Sequence, residues 1–121
     1  MVPRQSAEDL QAKRCLPCEG GVAKYSLAEA QAQLQSLSQW QLSSDGRKIS
    51  KAWQVRNFMA GIDFFRRIAE VAEAENHHPD LHLESYRRVT VVLWTHAIDG
   101  LSLNDFILAA KIDALPIETK A

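Results

Sequence analysis

Residues Asn57–Asp80 read NFMAGIDFFRRIAEVAEAENHHPD. Asn57 carries a side chain suited to capping a helix N-terminus, and Phe58, Ile62, Phe65, Ala69 and Ala72 step by four, three, four and three along one helical face. The far side holds Asp63, Arg66, Arg67, Glu70 and Glu73. Proline disfavours helical backbone in the residue before it, so Pro79 predicts a helix that stops at or just ahead of His78. A pair of histidines, His77 and His78, therefore stands at a helix end. With His82, three of the chain's four histidines fall within six positions.

Toward the C-terminus a polar loop leads into YRRVTVVLWTH, residues 86–96. This run is rich in β-branched and aromatic residues and alternates, with Val89, Val91 and Leu93 on one face and Val92 and Trp94 on the other, as in a strand. Apolar residues on both faces point to a subunit contact behind the sheet. A last helix follows, capped by Ser102 with Asp105 in the capping-box position, and Leu103, Phe106, Ile107, Ala110 and Ala114 form its buried side.

Toward the N-terminus, WQLSSDGRKISKAWQV (residues 40–55) reads as a β-hairpin: Asp45-Gly46 suits a tight turn, and Ile49, Trp53 and Val55 share one parity. Before it, Ser26 and Glu29 have capping-box spacing, and Leu27, Ala30, Leu34 and Leu37 mark a helix ending near Ser38. The order helix, hairpin, helix, strand or strands, helix is that of an α+β fold, an antiparallel sheet of about four strands with three helices packed on one face. Residues 1–24 mix charge, proline and Gly20-Gly21 without sustained periodicity and read as an appendage, in which Ser6 can cap a short helix. The domain proper is residues 25–121.

The chain has 121 residues, 46% hydrophobic and 24% charged, with a formal net charge of −1. That is enough for one core, and it gives no global push toward nucleic acid or anionic lipid. No apolar run reaches the ~20 residues of a membrane helix, and the start lacks a secretory signal pattern, so the expected location is the cytoplasm. The two cysteines, Cys15 and Cys18, form one C-x-x-C in RCLPCEGG. One pair supplies at most half of a four-thiolate zinc site; reduced thiols on a loop are the simpler reading, with zinc completed by a histidine or a second chain as the alternative.

Three readings compete for the histidines. As metal ligands His78 and His82 are four apart, but Pro79 breaks the helix that would align them, and there is no H-E-x-x-H. As structural residues they would satisfy the carbonyls and dipole of a helix C-terminus. As acid and base they would exploit an imidazole that gives and takes protons near neutral pH.

Here EAENHHP (Glu73–Pro79), Tyr86, His96 and GLSLNDF with Asp105 closely resemble the signature of the pterin-4a-carbinolamine dehydratases, and the order of elements from about Ser26 to Leu115 is similar to that family's. The leader RCLPCEGG resembles that of bacterial members. The resemblance implies loss of water from a 4a-hydroxytetrahydropterin to give quinonoid dihydropterin, a step in recycling the cofactor of aromatic amino acid hydroxylases, with no metal or organic cofactor. It implies His77, His78 and His96 as catalytic residues. Pro79 and Thr95 match positions lining the pterin site, together with backbone near Ala97 and Ile98, and Glu73, one turn before His77, is expected to orient that ring. Asp105 also matches, though as the third helical residue after Ser102 it has a complete structural explanation as a cap partner. Trp40 corresponds to a tryptophan near the family's pocket, where it would stack on the pterin or fill the core. His82 lies outside the signature and is expected at the surface. The resemblance further implies a homodimer or homotetramer. Its alternative is a non-catalytic pterin- or protein-binding module, since vertebrate relatives also dimerise with a homeodomain transcription factor; no direct nucleic-acid binding is implied.

Overall fold

The computed structural model describes residues 4–17 and 23–120. Its elements run α1 (Ala7–Ala12), α2 (Leu27–Leu34), β1 (Gln41–Leu42), β2 (Ile49–Gln54), α3 (Phe58–Glu75), β3 (Asp80–Glu84), β4 (Arg88–Leu93), a 3₁₀ turn (His96–Ile98) and α4 (Leu103–Asp113). The strands form one antiparallel sheet in the order β1-β2-β4-β3. The α+β architecture is the expected one.

Local chemistry accounts for the element ends. Ser26 and Ser102 each make a complete capping box, with Glu29 and Asp105, and Ser6 and Asn57 cap α1 and α3. In the first hairpin Gly46 takes φ +73°, the left-handed backbone that glycine adopts without steric cost. Asp45 anchors that turn: a hydrogen bond from the Ser43 hydroxyl, then one from the Arg47 N–H, holds its carboxyl below the usual range.

The sheet buries one face. Ile49, Val55, Val89, Val91 and Leu93 pack there against Phe64 and Ile68 of α3 and Phe106 and Ile107 of α4. Burial of side chains this size stabilises the fold by about 1.5–3 kcal/mol each. Gly61 lets α3 approach β3 closely, for a Cβ there would stand 3.1 Å from the Leu83 side chain. α4 lies deepest, with Asn104–Ala110 and Ile112 all buried; its Ala114, expected inside, is exposed.

Two features of the fold differ from those the sequence predicts. The buried stripe of α3 is Ala60, Gly61, Phe64, Ile68 and Ala72. Of the expected face only Ala72 is fully buried, while Phe58 (49% exposed) and Ile62 (40%) face outward beside Met59 (60%). At about 100° per residue the two faces lie roughly a right angle apart. This helix carries two apolar faces, and periodicity picked out the outer one. The second difference is β3, expected as a polar loop, whose Leu81 and Leu83 turn toward the core while Asp80, His82 and Glu84 point out. Its hairpin with β4 turns at Ser85 and Tyr86, both at φ +50°, a conformation that neither residue type advertises. His82 is exposed, as expected, but on a strand.

The leading segment packs into the same body rather than hanging from it. Leu10 of α1 is fully buried, Lys111 of α4 donates to the Gln11 carbonyl at 2.8 Å, and Gln33 of α2 exchanges hydrogen bonds with the Gln5 backbone. At the other end Thr119 bridges to Val55, extending the sheet edge beyond β1.

Candidate active site

Strand register fixes where the histidines meet. Asp80 at the start of β3 pairs with Val92 near the end of β4, so the chain entering β3 and the chain leaving β4 emerge from the same end of the sheet. His77, His78 and Pro79 lie on the first, and Thr95, His96, Ala97 and Ile98 on the second.

The end of α3 then separates the two adjacent histidines. Asn76 adopts left-handed geometry (φ 52°), its N–H and that of His77 returning to the Ala72 carbonyl in a Schellman-type closure. The helical phase is lost at that point, so His77 and His78 diverge. His77 turns inward, 5% exposed, and its Nε2 lies 2.7 Å from Oδ1 of fully buried Asp105. Oδ2 of the same carboxylate accepts from the Thr95 hydroxyl at 2.8 Å and the Ser102 N–H at 3.0 Å. A carboxylate can only accept, so Nε2 of His77 is the nitrogen that carries the proton in this bond. Asp105 is thus both cap partner of α4 and the anchor of His77.

His78 turns outward. Its Nε2 meets Oε2 of Glu73 at 2.5 Å on an exposed surface. Glu73 therefore orients His78, and the expected pairing with His77 is corrected: spacing of four places two side chains together only while the helix continues, and here it ends between them. His96 is exposed and stacks on Trp94, ring centroids 3.9 Å apart and tilted by 36°. The Trp94 Nε1–H points at Asp80 Oδ2, 3.4 Å away, and the Lys48 ammonium stands 4.6 Å above the indole. Two links thus join the histidine-bearing segments, one inside through His77, Asp105 and Thr95, the other outside through Asp80, Trp94 and His96.

Pro79 and Ile98 are half-buried and Ala97 is exposed at this end. Thr95 is fully buried, with its hydroxyl spent on Asp105. The structure does not bring Trp40 to the histidines. It lies beside β1 at the opposite sheet edge, packs edge-on to Trp53 (6.0 Å, 85°), and donates to Asp113, eight residues and about 12 Å along α4 from Asp105. It fills the core. Sequence reading missed Trp94 as the partner of His96; its alternation marked it only as an outward-facing apolar residue. Tyr86, part of the signature, sits in the β3–β4 turn at the far end of the sheet.

Among the described residues no group of three or more His, Cys, Asp or Glu side chains is arranged to hold a metal ion. Cys15 is half-buried, and burial first, then the nearby carboxylates of Glu75 and Asp105, push its thiol up to about 12. Cys18 lies outside the described residues.

Residues 23–115 match the family model described as pterin 4 alpha carbinolamine dehydratase. The chain belongs to this family. A mitochondrial protein of Arabidopsis thaliana named pterin-4-alpha-carbinolamine dehydratase 2 is 46% identical over 117 residues, which are 93% of this chain and 62% of that protein. A Halorhodospira halophila protein bearing the provisional name pterin-4-alpha-carbinolamine dehydratase is 48% identical over 103 residues, 85% of this chain and 94% of that one. A crystal structure of a transcriptional coactivator/pterin dehydratase from Brucella melitensis superposes with TM-score 0.71 at 28% identity, covering 76% of this chain and 97% of that one. Membership of this dehydratase family makes the protein an enzyme of the hydro-lyase class.

Proposed function

We propose that the protein dehydrates a 4a-hydroxytetrahydropterin to quinonoid dihydropterin, serving tetrahydropterin recycling, and that His78 and His96 carry the two proton transfers. The C4a–O bond breaks as the hydroxyl takes a proton and leaves as water; a ring nitrogen beside C4a loses its proton, and its electrons close the C=N bond. One imidazole gives and the other takes.

The observation that supports this reading is a pair of exposed imidazoles at one end of the sheet, each held from one side by a fixed partner, Glu73 for His78 and Trp94 for His96. With Nε2 of His78 engaged by Glu73, Nδ1 is the nitrogen left for substrate. His77 serves from below: shut from solvent and bound to Asp105, it positions the turn that presents His78 and Pro79. Pro79, Ala97 and Ile98 line the pterin site in this reading, and Glu73 reaches it only through His78. Trp40 is left out, in keeping with its core position.

The deciding experiment is dehydration of a synthetic 4a-hydroxytetrahydropterin with chelator present. His78→Ala and His96→Ala should each lose at least about a hundredfold in rate, the lower end of what a positioned acid or base contributes. Unchanged rates in both variants would remove the histidine mechanism.

We also infer self-association as a homodimer or homotetramer through the outer face of α3, where Phe58, Met59 and Ile62 form an exposed apolar patch. Sedimentation should show an oligomer that Ile62→Glu dissociates. The cytoplasmic location expected from the sequence is checked by cell fractionation. Among the described residues no helix is long and apolar enough to cross a membrane.

A further inference from the structure

The C-x-x-C leader is the one sequence motif left without a role by this reading. Its described part, Arg14–Pro17, crosses between the two elements that meet in the His77–Asp105 bond. On one side it holds the end of α3. The Cys15 N–H donates to Oε1 of Glu75 at 2.8 Å, the Arg14 guanidinium stands 3.3 Å from Oε2 of the same carboxylate, and a second Arg14 nitrogen donates to the Ala74 carbonyl at 3.3 Å. On the other side it holds the first turn of α4. Asn104, fully buried, accepts from the Leu16 N–H at 2.9 Å and donates to the Leu16 carbonyl at 2.7 Å, so that one side-chain amide clasps the backbone of one residue on both sides of its Cα. Lys111 of α4 closes the arrangement, 3.7 Å from Glu75.

The placement of these anchors gives the strap its meaning. Glu75 is two residues before His77, and Asn104 is the residue before Asp105. The imidazole and the carboxylate come from elements separated by 28 positions in the chain, and their hydrogen bond survives only if the end of α3 and the start of α4 keep a fixed spacing to within a few tenths of an ångström. Three consecutive leader residues span that gap and are bonded at both ends.

We infer that segment Arg14–Leu16 is a positioning strap for the active site, with Asn104 and Glu75 as its two anchors, acting on turnover through the His77–Asp105 bond. The inference rests on the dehydratase reading only for its kinetic consequence. Both anchor side chains are shut from solvent, and an amide clasp and a carboxylate at the strap's ends suit geometry rather than chemistry.

The test uses the full chain with Asn104→Ala, and Leu10→Ala as a comparison that loosens α1 from α4 by core loss while leaving both anchors in place. A histidine Nε2–H buried against a carboxylate gives a slowly exchanging, far-downfield proton resonance, assigned by its absence in His77→Gln. Asn104→Ala should broaden or abolish this resonance and lower kcat about tenfold, with KM changed less than about twofold, as expected for misplacement of an active-site support. Leu10→Ala should lower the melting temperature by at least several degrees and keep both the resonance and kcat. Retention of the resonance and of kcat in Asn104→Ala overturns the inference, and so does their equal loss in Leu10→Ala, which would make the effect one of general stability. Should Asn104→Ala fail to fold, Glu75→Ala reads the same two quantities from the other anchor. If no dehydratase activity exists in the parent, the resonance alone decides, and the strap and the proposed function fail separately.

Discussion

Nε2 of His77 and Oδ1 of Asp105 lie 2.7 Å apart, sealed from solvent, and join the end of α3 to the first turn of α4. The same carboxylate closes the capping box of α4 and takes the Thr95 hydroxyl, so one side chain holds three segments that converge at the histidine end of the sheet.

Removing that carboxylate takes the acceptor from two buried donors, the His77 Nε2–H and the Ser102 N–H, while the Thr95 hydroxyl keeps the Ser102 hydroxyl 2.8 Å away. Each such group costs about 1–3 kcal/mol, and loss of the cap adds about 1 kcal/mol. Asp105→Ala should therefore lose roughly 3–7 kcal/mol of stability, more than most single substitutions. Urea unfolding measures this, and a loss below about 1 kcal/mol would mean that the network relaxes onto other partners.

The turn separating the two histidines depends on left-handed backbone at Asn76 (φ 52°). Asparagine tolerates that geometry, glycine adopts it freely, and alanine pays about 1–2 kcal/mol for it. Asn76→Gly should keep the melting temperature and turnover close to those of the parent. Asn76→Ala should lower the melting temperature and reduce turnover as well, because the directions of His77 and His78 are both set there. Identical melting curves for the two variants would contradict this account.

Much of the fold was legible because local chemistry and burial agreed. Capping residues at Ser26, Asn57 and Ser102 and the proline at 79 mark element ends through interactions within a few residues. What escaped was set by tertiary structure. The buried face of α3 could not be told from its outer one, since Phe58 and Ile62 are as apolar as Phe64 and Ile68. β3 was hidden because Ser85-Tyr86 occupies a turn where Asn-Gly would have announced a hairpin. In the candidate site the histidines themselves were legible as a cluster. Their divergence was not, for it follows from a single left-handed residue, and neither was the exchange of partners that gives Glu73 to His78 and Asp105 to His77.

The strained turn offers a stabilising change. Two non-glycine residues at φ +50° each cost energy that Asn and Gly would recover. Ser85→Asn combined with Tyr86→Gly should raise stability by about 1–2 kcal/mol, read from the urea midpoint. Because the turn lies at the sheet end opposite His77–Pro79, turnover should be unchanged. Reduced kcat in the double variant would show that Tyr86, whose ring lies exposed beside the Arg87 guanidinium, acts beyond its turn.

Cys15 gives a pH prediction. Its thiol is moved from an ordinary 9.0 to about 12, chiefly by burial and then by repulsion from Glu75 and Asp105, with the Lys111 ammonium opposing weakly. The folded state thus prefers the protonated thiol more strongly than the unfolded chain does. That preference contributes stability in full below pH 9 and loses it progressively as pH rises from about 9 toward 12, where the folded protein too ionises. Lysines and tyrosines titrate in the same window, so the comparison is with Cys15→Ser, in a Cys18→Ser background that removes the second thiol. The stability difference between the two proteins should shrink from pH 8 to pH 11. Native Cys15 should also react with iodoacetamide at pH 8 roughly a thousandfold more slowly than a free thiol, since reactivity follows the thiolate fraction, and unfolding should restore the ordinary rate. Rapid alkylation of the folded protein would show that the thiol is ionised or open, and that the leader does not pack against Glu75 as described.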